Sequence, residues 1–243
     1  MMWRPVLVTL CLLTHAPAWA AQSVTFATNG TGAGQPWSGS ASASVTIAIA
    51  SGDKACVMFG NGANNRSVSS VTDDGGNSYG TVKVTHENTG AFLEAWAYCT
   101  SATATATAIT ATLDSSTTNR GFLVAWKLTN SDAAGNTGDG ETDLGVSHTT
   151  TGNVSLTGSA STLLGCTMGS NGAYTIDAGT WTEDNKTTSV SITIVCGHKA
   201  VTGAATMTNT SGVNEDSVTL VIEIPETVGA ASPSYFKRRL GGM

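Results

Sequence analysis

Short stretches in which apolar and polar residues alternate run along most of the chain. Ala43–Ala50 (ASVTIAIA) puts Val45, Ile47 and Ile49 on one face and Ser44, Thr46 and Ala48 on the other. A period of two marks a half-buried strand. Strands are predicted over 23–27, 81–85, 91–100 and 104–113, and again over 153–157, 162–168, 180–183, 189–196 and 204–210. Residues 54–59 are apolar with little interruption, which predicts a short strand buried on both faces. Residues 121–128 and 217–224 are further apolar strands. Residues 68–79 predict a hairpin whose turn is Asp73-Asp74-Gly75-Gly76-Asn77, because Gly and Asn accept positive φ. Residues 30–39 read as a turn-rich loop, and 132–143 as the nearest thing to a connector. Short strands at this spacing predict an all-β fold: an antiparallel two-sheet sandwich, jelly-roll-like, with two pseudo-repeated halves. Two Ig-like sandwiches in tandem are the alternative.

The halves are visible as an internal match at an offset of 110. Residues 56–74 (CVMFGNGANNRSVSSVTDD) align without gaps on 166–184 (CTMGSNGAYTIDAGTWTED), with seven of 19 positions identical. Cys99 then falls opposite Cys196, and the strand 121–128 opposite 217–224. The repeated segments are about 43–128 and 153–224, inside one domain over 21–228, since no linker rich in Pro or charge separates them. Two copies do not make a solenoid, which needs about three.

Composition supports strands over helices. The 243 residues include 39 Thr, 25 Ser and 28 Gly, while charged residues make up only 12%. Thr and Val favour strands, and Glu, Lys, Gln and Arg, the helix formers, are scarce.

Residues 1–20 read as a secretory signal peptide. Arg4 supplies the basic end, 6–13 the apolar stretch and Ala18-Trp19-Ala20 the cleavage motif, so the mature chain is expected to begin at Ala21. That apolar stretch is too short to span a bilayer, and no later one approaches 18 residues, so no transmembrane segment is expected. Loss of Arg4 takes the formal net charge from −6 to −7. Lys237, Arg238 and Arg239 lie in a basic tail over 229–243. The acidic body has no basic stripe, which argues against nucleic-acid binding. The tail reads as a solvated terminus or a docking element for an acidic partner or an anionic envelope surface.

Cys11 leaves with the leader, and Cys56, Cys99, Cys166 and Cys196 remain. An even number in an exported chain suggests two disulfides. The repeat suggests Cys56–Cys99 and Cys166–Cys196, because strands that lie close in one half should lie close in the other. The rival symmetric solution joins Cys56–Cys166 and Cys99–Cys196, and four reduced thiols are the third possibility. No CxxC spacing points to zinc.

Residues 70–79 (SVTDDGGNSY), preceded by Ser51-Gly52-Asp53 and followed by an aromatic and a Thr-rich strand, carry a resemblance. They are similar to the "SVTDxxGNxY" hairpin of a loose group of secreted bacterial and phage-associated β-sandwich modules. The resemblance covers most of 45–225 and leaves out the tail FKRRLGGM. It implies a fold and an extracellular or virion-surface setting, and no activity.

Candidate chemistry is sparse. His86, His148 and His198 are the histidines of the mature chain, and no G-x-S-x-G elbow accompanies them. Glu94 and Glu223 are the acids inside strong strands. Glycoside hydrolysis would need them to face each other across about 5–9.5 Å. Asp73-Asp74-Gly75-Gly76-Asn77 and Asp139-Gly140-Glu141-Thr142-Asp143 gather oxygen ligands suited to calcium, without the EF-hand spacing. A turn explains the first equally well, and no cofactor is expected. On the strand at 92–99, Phe92, Glu94, Trp96 and Tyr98 share one face and Leu93, Ala95, Ala97 and Cys99 the other. Rings flanking a carboxylate suit a sugar-stacking platform, although large rings are more often buried. Trp37, Trp126 and Trp181 read as packing residues. The Thr run at 101–112 reads as an ordinary half-exposed strand, since an ice-binding ladder needs many stacked copies. The sequence therefore predicts a non-catalytic secreted or periplasmic module for surface, adhesive or assembly roles. Its partners would be other surface proteins or glycans. The alternatives are a carbohydrate-binding module using Glu94, Trp96 and Tyr98, and a virion decoration protein.

Overall fold

The computed structural model of the chain describes residues 22–29, 40–62, 66–86, 93–117, 121–142, 149–156, 160–169, 174–176, 180–189, 192–202, 205–211 and 217–227. The leader, the basic tail, Trp37, Phe92, Asp143 and His148 lie outside the described residues.

Among the described residues there are sixteen strands, eight in each half. The first half contains β1 (Val24–Thr28), β2 (Ser40–Ile49), β3 (Lys54–Asn61), β4 (Val68–Asp73), β5 (Gly80–His86), β6 (Glu94–Ser101), β7 (Ala106–Thr117) and β8 (Gly121–Leu128). The second contains β9 (Thr137–Thr142), β10 (Thr149–Val154), β11 (Ser161–Gly169), β12 (Tyr174–Ile176), β13 (Thr182–Ser189), β14 (Ile192–Val201), β15 (Ala205–Ser211) and β16 (Ser217–Pro225). In the first half a five-stranded sheet, β1-β8-β3-β6-β5, accompanies a three-stranded one, β2-β7-β4. In the second half the orders are β9-β16-β11-β14-β13 and β10-β15-β12. Adding eight to each label of the first half reproduces the second, so the repeat in the sequence is a repeat of topology. Neighbouring strands pair antiparallel throughout, as expected of an all-β antiparallel sandwich.

The layering follows from burial. β3, β11 and, but for its last residue, β16 are buried along their whole length, and β8 is buried except at Lys127. A strand of this kind must be covered on both faces. One face of the first five-stranded sheet (Ala55, Val57, Phe59, Trp96, Leu123, Ala125) packs on Val45, Ile47, Ile109 and Leu113 of the three-stranded sheet. Its other face (Cys56, Met58, Ala97, Cys99, Val124, Trp126) packs on Cys166, Met168, Cys196, Leu220 and Ile222 of the second half. Leu163, Val195 and Val221 then pack on Val154 and Met207 of the last sheet. The order of layers is three, five, five, three strands, each step ~10 Å. The expected sandwich is present in each half, and the halves share a third core between their larger sheets.

Three local expectations need correction. Residues 68–79 do not form a hairpin: β4 pairs with β7 and β5 with β6. The Asp-Asp-Gly-Gly-Asn turn instead carries the chain from the outer sheet to the inner one. The connector at 132–143 contains β9, which pairs with β16. Its sequence, TGDGET, has no apolar alternation because it is an edge strand joined through its backbone. The three residues of β12, paired with β15, also carried no periodic signal.

The ends of the fold meet at one corner. The Gln22 backbone N–H donates to Glu226 Oε1 at 3.0 Å, and Gln22 Nε2 donates to the Ile224 carbonyl at 3.4 Å. Thr162 Oγ1 donates to Gln22 Oε1. Among the described residues, no helix is long and apolar enough to cross a membrane.

Candidate functional site

The two disulfides are Cys56–Cys99, bridging β3 and β6, and Cys166–Cys196, bridging β11 and β14. Each joins residues directly opposite in the antiparallel register, with Cα atoms 4.1 Å apart. Such closeness belongs to the narrow, non-hydrogen-bonded kind of cross-strand pair. Both bridges face the core shared by the halves.

The aromatic strand divides as its alternation predicts, but its ring face is not a platform. Trp96 is 4% exposed and stacks on Phe59 with centroids 5.4 Å apart. Tyr98 stacks on the same ring at 5.8 Å. The three rings fill the first sandwich between β3, β6 and the outer sheet. Aromatic burial prevails because this face is covered by a second sheet. Glu94, at the start of β6, is half-buried at the end of that sandwich. Its Oε2 accepts the Arg66 N–H at 3.0 Å, and Asn61 stands opposite it in the register. The Arg66 guanidinium reaches Ser115 and the Ser116 carbonyl.

Asp73 and Asp74 hold the turn in which they sit. Asp73 Oδ1 accepts from the Gly75 and Asn77 N–H groups at 3.1 and 2.9 Å. Its Oδ2 accepts from Asn77 Nδ2 and Tyr79 Oη at 2.8 and 3.1 Å. Burial, then the Asp73 charge, pushes the Tyr79 phenol above its ordinary pKa. Asn77 Oδ1 in turn accepts the Thr103 and Ala104 N–H groups. Asp74 accepts the Thr107 hydroxyl and the N–H groups of Thr107 and Ala108, and these bonds hold its pKa down to about 2. Gly76, at φ 76°, needs glycine, and a Cβ on Gly75 would stand 2.3 Å from the Thr105 carbonyl oxygen. These carboxylates close a turn, as the simpler of the two readings of 73–77 has it. Among the described residues, no group of three or more His, Cys, Asp and Glu stands together to hold a metal. Side chains of Asp139 and Glu141 are outside the description; their backbone lies in β9.

Glu94 and Glu223 do not face each other. Glu223, fully buried, accepts the Asn136 N–H and the Ser161 hydroxyl at 3.0 and 2.8 Å. It alternates with Ile222 and Ile224 of the shared core and so turns into the second sandwich, whereas Glu94 belongs to the first. His86 is opposite Glu94 in the β5–β6 register. His198 does meet a carboxylate: its Nδ1 lies 2.8 Å from Asp184 Oδ2. That same oxygen accepts the Trp126 Nε1–H at 2.8 Å, across the boundary between halves. Sequence inspection missed this trio. A bulge in β13 between Glu183 and Asn185 sets Asp184, and no local pattern encodes it. Among the described residues, Asp184 is the one side chain bonded to the His198 ring, and through Trp126 the trio clamps two sheets.

The outer face of β2-β7-β4 carries rows of hydroxyls. Ser44, Thr110 and Thr72 are in register across three strands, as are Ser42, Thr112 and Ser70. Within the rows, Ser44 bonds Thr110 at 2.7 Å and Ser42 bonds Thr112 at 3.0 Å. The second outer sheet repeats the register, with Thr149, Thr210 and Thr175 in one row and Thr151 beside Thr208. The Thr run is therefore part of a three-strand array.

No family model matches the chain, and neither a curated protein nor a solved structure is found similar to it.

Proposed function

We propose that this chain is a non-catalytic secreted module acting at a surface, by adhesion or assembly. The observation that carries this is the outer face of β2-β7-β4, where uncharged hydroxyls stand in rows three strands wide. Glu94 and Glu223, the acids inside strong strands, turn into different sandwiches and accept bonds from Arg66 and from Asn136 and Ser161, which supports a non-catalytic reading. The two disulfides support export to an oxidising compartment, where such bonds persist. The outer sheets of the stack face opposite ways, which gives two surfaces for contact on one molecule. Their partner would be neutral and hydroxylated, as a glycan or a Ser/Thr-rich protein surface is.

Retention of the mature chain on insoluble neutral polysaccharide and on cell envelopes tests this, alongside turnover of ester, glycoside and peptide substrates. Retention should fall at least about threefold when Thr112→Lys puts a charge into the rows. Turnover that tracks the purified protein and is lost in His198→Ala would overturn the non-catalytic reading. Absence of retention on every surface would overturn the adhesive one.

A further inference from the structure

We infer that the first outer sheet, β2-β7-β4, takes a fourth strand along β4, supplied by a partner protein as an extended segment with apolar side chains at alternate positions and Lys or Arg towards both ends. This edge is separate from the hydroxyl rows proposed above as the contact surface. The two layers of the first sandwich differ in width. β2 lies over β8, and Ala27 of β1 packs on the same core. With strands ~4.8 Å apart in both sheets, β7 then lies over β3 and β4 over β6, so the outer sheet stops short of β5. Two neighbouring side chains bear this out. Trp96 and Val84 are opposite each other in the β6–β5 register and so share a face, yet Trp96 is 4% exposed and Val84 44%. Among the described residues, Val84 is the one large apolar side chain that stands exposed. A strand added beside β4 would lie over it.

The edge of β4 is open to such a strand. The Ser44 carbonyl accepts Asn29 Nδ2 and so points away from β7. Ser44 and Thr110 are therefore a non-hydrogen-bonded pair, and Thr110 turns its own N–H and C=O towards Thr72 of β4. Alternation along β4 then sends the N–H and C=O of Val71 and the N–H of Asp73 outwards. The Asp73 carbonyl accepts the Gly76 N–H. Among the described residues, no strand meets β4 on that side and no backbone group bonds Val71 from it. The strand Val68–Asp73 holds no Lys, Arg or Pro, the residues that commonly blunt an edge. The register shift between Val68 and Ser70 leaves the second half of β4 as the regular stretch, so the added strand is short and centred on Val71.

Charge selects the partner. Asp114, whose N–H donates to the Ser67 carbonyl, stands at one end of β4, and Asp74 stands at the other; both are exposed. The Arg66 guanidinium is turned to Ser115 and the Ser116 carbonyl. A segment with cations near both ends meets these two carboxylates, and an acidic one is repelled by them. Main-chain bonds to an open edge supply affinity, and side chains at alternate positions supply specificity. Here the inward side chains would cover Val84, while the outward ones, continuing the rows that reach Ser70 and Thr72, need only be polar.

The test uses the full mature chain and a fluorescein-labelled peptide, Lys-Lys-Thr-Val-Thr-Val-Thr-Lys-Lys, as the probe. Fluorescence anisotropy should saturate. Affinity should fall at least about tenfold in Val71→Pro, since proline removes the outward N–H and is tolerated on an edge strand. It should fall by a similar factor in Val84→Lys, and for the same peptide with Glu in place of Lys. Hydrogen exchange at the Val71 amide should be fast in the free chain and slow once the probe is bound. If Val71→Pro does not fold, Val84→Lys, at an exposed position, decides. No saturation at millimolar probe overturns the inference, as does equal affinity for the parent and Val84→Lys. Equal affinity of the Lys and Glu peptides overturns the basic partner. A Val71 amide already protected before the probe is added means that another part of this chain or a second copy holds the edge, and that too overturns it.

Discussion

Trp126→Phe tests whether the halves are one cooperative unit. Trp126 is fully buried, packs on Phe26 with centroids 5.4 Å apart, and donates its indole N–H to Asp184 at 2.8 Å. Phenylalanine keeps a ring but removes the donor. A hydrogen bond to a charged group is worth ~1.5–3 kcal/mol. The smaller ring leaves a void costing about 1 kcal/mol more. A loss of about 2.5–4 kcal/mol lowers Tm by roughly 5–16 °C in a chain of this size. Because the shared core draws on both larger sheets, calorimetry should show one transition that moves as a whole. A double-mutant cycle with Asp184→Ala should return a coupling of ~1–2 kcal/mol. Coupling below about 0.5 kcal/mol, or two transitions of which one moves alone, would refute the reasoning.

Trp96→Ala should cost ~3–5 kcal/mol in denaturant unfolding, as truncation of a core ring does; a change within about 0.5 kcal/mol would return the ring to the surface. Asp74 has a depressed folded pKa, so its contribution to stability is present above the unfolded value of ~3.9 and is lost as pH falls towards about 2. Asp74→Asn should flatten the acid limb of the stability profile in that window, and an unchanged limb would count against the Thr107 and Ala108 bonds. Gly75→Ala should destabilise by ~1–3 kcal/mol through its clash with the Thr105 backbone, and an increase in Tm would contradict that geometry. Replacing Cys56 and Cys99 together by Ala should cost ~4 kcal/mol in the chain-entropy model for a loop of this length, read as a shift in the denaturant midpoint.

What was legible in the sequence was whatever repeats or alternates. The bridges followed from the matched cysteines, and β8 kept its expected limits at Gly121 and Leu128. The continuous apolar run of β3 announced a strand covered twice. Nothing local named the second cover, because the surface that meets Cys56 and Met58 is supplied by β11, β14 and β16, over 100 residues away. The Asp-Asp-Gly-Gly-Asn turn suggested a hairpin because positive φ is common to many turns. Its true role depends on Asn77 reaching Thr103 and Ala104, a tertiary contact. The aromatic face of β6 was read correctly as one face; whether it is wet or dry depends on β2 and β7, which propensity does not reveal.

The corner where Gln22 meets Glu226 has a mechanical consequence. Anything joined before Gln22 and anything joined after Thr227 starts from nearly the same point. Tension between two such attachments would pass through that corner and load little of the sixteen strands. Only the first bonds of β1 and the last of β16 would peel, while both disulfides lie behind them, out of the line of force. A protein of this design hangs from its tethers as a pendant, and its rigid stack is spared the pull that a bead threaded end to end would carry.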